Sequence, residues 1–87
     1  MTASQFEDRL RNAAASGRAA GEQAAGSGKY DPEDLPNITP DDEGLNPTEI
    51  LLKVTGQKNL LDQEEADIII GVFEDSFFDA ITEYHED

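Results

Sequence analysis

An 87-residue chain with 20 acidic side chains, 6 lysines and arginines and no cysteine has room for one small domain at most. Its formal net charge of -14 argues against binding a nucleic-acid backbone or an anionic membrane, since both need cationic neutralisation. Without thiols there is no disulfide staple and no thiolate chemistry, which fits a reducing compartment.

The charge is uneven. Residues 1–36 hold six acids against four cations, a net of -2, and residues 37–87 hold fourteen acids against Lys53 and Lys58, a net of -12. Such a half-chain attracts basic surfaces and speeds encounter with them. The opening MTASQFEDRL lacks the basic start and apolar core of a secretory signal. No run approaches the ~18 apolar residues of a membrane helix. The expected setting is cytoplasmic, or a virion if the chain is viral.

Ser4 and Glu7 have the spacing of a capping box. Phe6, Leu10, Ala13 and Ala14 then recur at helical spacing. Alanine favours helix, but Gly17 and Gly21 each cost about 1 kcal/mol relative to alanine. The expectation for residues 1–25 is a weak helical arm that frays after Ser16 and orders on a partner.

Residues 26–44 place Pro32, Pro36 and Pro40 four apart. Each proline lacks an N–H and restricts the residue before it, so an extended linker is expected. Tyr30, Leu35 and Ile38 are the side chains able to anchor it.

Residues 45–87 read as an acidic helical hairpin. Asn46, Pro47 and Glu49 are a capping residue, a proline at the first helical position and an acid in the first turn. Gly56 is placed to end that helix in the left-handed conformation. After a loop at Gln57–Leu61, Asp62 starts a second helix, with Leu61 and Ala66 as a hydrophobic staple. The fold class expected is mostly α: a short helix over 47–55 and a long one over 63–84. The run Ile68–Phe73 also suits a buried strand, because periodicity does not separate the two; the preceding cap favours helix.

On a wheel of roughly 100° per residue, Ala66, Ile69, Ile70, Phe73, Phe77, Ala80, Ile81 and Tyr84 share an arc of about 120°. Glu64, Asp67, Glu74, Asp75, Asp79, Glu83 and Glu86 lie opposite. Ile68 and Val72 form a small patch among the acids, and Phe78 sits apart from them. One nine-residue helix is too short to cover the whole arc, and a region of about forty residues is marginal alone. The arc reads first as a core stripe with a solvated acidic back; because the hairpin cannot cover all of it, Ile69, Ile70, Phe73, Phe77, Ile81 and Tyr84 are predicted to bind a partner, with Ile68, Val72 and Phe78 as a secondary patch. The rival is that Phe6 and Leu10 cover one of these strips within the chain.

No catalytic constellation stands out. His85 is near the end of the sequence, and Ser4, Ser16, Ser27 and Ser76 have no evident base. Acid–base work by paired carboxylates needs a shaped, partly dry pocket. Asp41, Asp42, Glu43 and Gly44 suggest a calcium loop, but aligning Gly44 to its glycine puts Thr39 and Ile50 at the first and last ligand positions. GSGK lacks the spacing of a phosphate loop. No metal or cofactor is expected. The stretch Gln57-Lys58-Asn59-Leu60-Leu61 resembles the short Q-x-x-L-hydrophobic peptides that bind the bacterial sliding clamp; Leu60 and Leu61 also suit the loop and staple of a hairpin, and that reading is preferred.

The function expected is that of a non-enzymatic interaction subunit, an adaptor or assembly factor, a profile shared by virion assembly components and by many other small subunits. Its partner would be a larger protein with a basic or apolar groove, or a second copy of the chain. The alternatives are a DNA-mimic inhibitor acting through Glu64, Asp67, Glu74, Asp75, Asp79 and Glu83, and an antitoxin or immunity protein neutralising a basic partner.

Overall fold

The computed structural model describes residues 3–56 and 62–86, and the side chains of residues 5–56 and 62–84. The Ser4 side chain and with it the expected cap, the Gln57–Leu61 loop with its clamp-like motif and staple residue, and the side chains of His85 and Glu86 lie outside the described residues. The rest is mostly α, with no strand among the described residues. Helix α1 spans Ala3–Gly26, α2 spans Pro47–Thr55 and α3 spans Gln63–Glu86.

Helix α2 has the expected bounds, and its ends show why. The Asn46 side chain accepts the Glu49 backbone N–H at 2.9 Å, satisfying one of the donors that a helix start leaves unpaired. Gly56 closes the helix at φ 76°, with its N–H on the Leu52 carbonyl at 2.8 Å. Asp62 caps α3 by accepting the Glu64 N–H at 2.9 Å. Ile68–Phe73 is helix, not strand.

Helix α1 differs from expectation. It continues unbroken past Ser16 to Gly26. The reason is α3: Gly17 faces Phe73 and Gly21 faces Phe77, so closely that a β-carbon at Gly21 would stand 2.5 Å from the Phe77 carbonyl oxygen and 2.9 Å from Ala80 Cβ. Ala13, Gly17, Ala20, Gly21 and Ala24 form one buried stripe of small side chains. That stripe lets the α1 backbone lie on α3, and the burial gained there outweighs the low helix propensity of the two glycines.

The pairs Gly17–Phe73, Gly21–Phe77 and Gly26–Tyr84 rise together, so α1 and α3 run parallel. Each has 24 residues and is about 36 Å long. The molecule's longest axis is 41 Å, so the two helices span it. The chain between them must therefore travel back along the whole molecule. The linker does part of this, and it is not simply extended. Leu35–Asn37 and Pro40–Glu43 form 3-10 turns, the first packing on α3 and the second reaching α1. Leu35, Ile38 and Pro40 are buried and fasten it. Across the second turn, the Tyr30 hydroxyl donates to Glu43 Oε2 at 2.9 Å, and Lys29 Nζ meets the same oxygen at 3.2 Å.

The core combines Phe73, Phe77, Ile69 and Ile81 of α3 with Ile50, Leu51 and Val54 of α2, Leu35 and Ile38 of the linker, and the alanines of α1. Phe6 and Leu10 pack half-buried against it. A cover from a second chain is thus not needed for the apolar arc. Full burial of each large α3 side chain contributes roughly 1.5–3 kcal/mol.

Candidate protein-binding face

Covering one side of α3 leaves the other side for solvent or a partner. Ile69, Phe73 and Phe77 are 0% exposed and Ile81 2%. Ile70 is half-buried, and Tyr84 is exposed. The docking face expected at these residues is, apart from Tyr84, turned into the chain's own core. Phe78 is half-buried with its ring edge-on to Phe77, the centroids 5.8 Å apart. Val72 is also half-buried. Ile68 stands out at 48% exposure.

The outward side of α3 carries Glu64, Asp67, Ile68, Gly71, Asp75, Asp79 and Thr82, all exposed. Their spacing of three and four residues keeps them on one face. Glu74 is half-buried at its flank, and Glu83 on the other flank is held by Arg18 of α1. The whole helix has eight acids and no lysine or arginine. Among the described residues, the ion pairs are Arg11–Asp8, Arg18–Glu22, Arg18–Glu83 and Lys29–Glu43, and none of them neutralises Glu64, Asp67, Asp75 or Asp79. Asp67 accepts only a neutral hydrogen bond, from Gln63 at 3.0 Å.

Gly71 is the residue on this face that periodicity does not mark. A β-carbon there would meet nothing within 4 Å, the opposite of Gly17 and Gly21. Its signal in the sequence is a glycine inside a strongly patterned helix, three residues from an isoleucine that lies among acids.

Asp42 accepts the Thr39 N–H at 2.9 Å in a capping box, and Glu43 holds Tyr30 and Lys29, so two of the acids in the calcium-like stretch serve the turn. The hydrogen bond to Glu43 raises the Tyr30 pKa above its usual value, helped by burial and by the Glu43 and Asp42 charges. Among the described residues no charged side chain is buried, and no group of three or more potential ligands is arranged for a metal ion. An open groove where α1 and α3 end is lined by Glu22, Ala80, Glu83 and Tyr84. Among the described residues no helix is long and apolar enough to cross a membrane. No protein-family model, curated protein or solved structure matches the chain.

Proposed function

We propose that this protein is a non-enzymatic interaction subunit that binds a basic protein partner through the outward face of α3. One observation carries the reading: that helix has its apolar side covered by α1 while its outer side holds Glu64, Asp67, Asp75 and Asp79 with no described cation to neutralise them. Uncompensated like charges on one face destabilise the free chain and attract an opposite surface.

A second reading is a phosphate mimic that blocks a nucleic-acid-binding protein. The row from Glu64 to Asp79 supports it, being linear and about 22 Å long. Four carboxylates over that length give about one charge per 7 Å of row, whereas duplex DNA carries one per ~1.7 Å of axis. The density is too low to favour a mimic over a subunit for an ordinary basic surface. An antitoxin for a basic toxin would use the same face.

The test is capture of cellular proteins by the immobilised full chain, beside a variant with Glu64→Gln, Asp67→Asn, Asp75→Asn and Asp79→Asn. The reading expects partners that elute with salt and are lost from the variant. Partners that bind the variant equally well would overturn it.

A further inference from the structure

Three glycines lie inside the two long helices, and two of them are explained. Gly17 and Gly21 sit where a neighbouring helix backbone leaves no space for a side chain. Gly71 sits on the outer face of α3, where a β-carbon would find nothing within 4 Å. A glycine there weakens the helix relative to alanine and returns nothing within the free chain.

Gly71 is bracketed by groups that suit contact with another helix. Ile68, one turn before it, is 48% exposed. Val72 beside it is half-buried, and Asp67 and Asp75 lie on either side along the helix. Lacking a side chain, Gly71 leaves a notch in the row of exposed side chains, with Ile68 and Val72 as its apolar edge and Asp67 and Asp75 as its anionic rim. The chain's own tightest contact likewise places glycines where helix backbones meet, there among alanines of α1 and against Phe73 and Phe77 of α3.

We propose that the notch at Gly71 seats a basic amphipathic helix of another protein. This rests on the reading of the α3 face given above and names the shape of the partner. The partner helix would lay a ridge of small apolar side chains across Gly71 and against Ile68, with lysines or arginines reaching Asp67, Asp75 and Asp79. Charge complementarity selects this occupant. A second copy would bring a chain of net charge -14 and another lysine- and arginine-free α3 against the same acids. A basic helix satisfies both the rim and the notch, as in other helix-in-groove recognition.

The experiment titrates the isotope-labelled full chain, followed by NMR, with two designed peptides of identical composition. One is an amphipathic helix with lysine flanks and an alanine–leucine seam. The other is a scramble unable to form an apolar face. The expected result is that the helical peptide binds more tightly and shifts Glu64–Asp79. Gly71→Leu, at a position where an added β-carbon meets nothing within 4 Å, is expected to leave the fold intact by circular dichroism and should weaken the helical peptide about tenfold or more by steric block. It should leave the scramble unchanged. Equal binding of both peptides, indifferent to Gly71→Leu, overturns the helix seat while sparing the basic-partner reading. Binding of neither peptide overturns both. Light scattering that shows a dimer broken by Gly71→Leu would make the occupant a second copy and overturn this assignment.

Discussion

Gly17 of α1 lies directly on the backbone carbonyl of Phe73 of α3, with no room for a side chain between them. This contact sets how near the helices approach, and with Gly21 on Phe77 it sets their parallel alignment. Its energetic sign is testable. Alanine at Gly17 gains about 1 kcal/mol of helix propensity. It also drives a β-carbon into a backbone that yields only if the helices part, an overpacking cost of about 1–3 kcal/mol. Gly17→Ala and Gly21→Ala are expected to lower the urea midpoint. Gly71→Ala, with open space around it, is expected to raise stability by up to about 1 kcal/mol. The same denaturation series checks all three, and a common sign would contradict the packing described.

Phe73 and Phe77 are structural. Truncating either to alanine is expected to cost about 3–5 kcal/mol, comparable to the whole stability of a small domain. Far-UV circular dichroism should show loss of helix or of a cooperative melt. Asp79→Asn, on the exposed face, should stay within about 0.5 kcal/mol of the parent. A Phe73→Ala chain that melts like the parent would mean that α1 does not cover α3.

The Tyr30–Glu43 hydrogen bond predicts a pH effect with a definite sign. The Tyr30 pKa is raised above 10.0 in the fold, so its contribution is complete below the unfolded value and is lost as pH rises through the folded one. The melting temperature should fall more steeply above pH 10 in the parent than in Tyr30→Phe. In a Tyr84→Phe background, phenolate absorbance should show Tyr30 ionising at lower pH once Glu43→Ala removes the acceptor and its charge.

Asn46→Ala leaves the Glu49 N–H without its side-chain acceptor and is expected to cost about 1 kcal/mol. Chemical denaturation measures it. Asn46→Asp should retain most of the stability, because a carboxylate accepts the same hydrogen bond at a helix start.

Self-repulsion predicts stabilisation by salt. The Debye length falls from about 10 Å at 0.1 M to about 3 Å at 1 M ionic strength. The melting temperature should rise with sodium chloride as repulsion along α3 is screened. In the quadruple variant neutralised at Glu64, Asp67, Asp75 and Asp79 the rise should be smaller.

The parts legible in the sequence are those that local chemistry governs. Asn46, Pro47 and Gly56 mark both ends of α2, because caps and a left-handed glycine act within one turn. Asp62 marks the start of α3 in the same way. The wheel separates Phe73 and Phe77 from Asp75 and Asp79 because helical periodicity is itself local. The anchoring roles of Leu35 and Ile38 are visible there only as two aliphatic residues in a proline-rich stretch; what they pack against lies elsewhere in the chain.

Gly17 and Gly21 read locally as helix breakers, and on that reading α1 frays. What reverses it is Phe73 and Phe77, more than fifty residues away, whose carbonyls stand where side chains would have been. The helices α2 and α3, their caps and the acidity of α3 follow from the order of residues alone, since propensity, capping and charge are properties of short segments. The parallel alignment of α1 and α3 does not follow from it, nor does the identity of the segments that cover the apolar side of α3. Those are settled by packing, and they leave Ile68, Gly71 and the acids facing outward. A glycine's contribution depends on what stands opposite it, and at Gly17 and Gly21 that is a backbone distant in the chain.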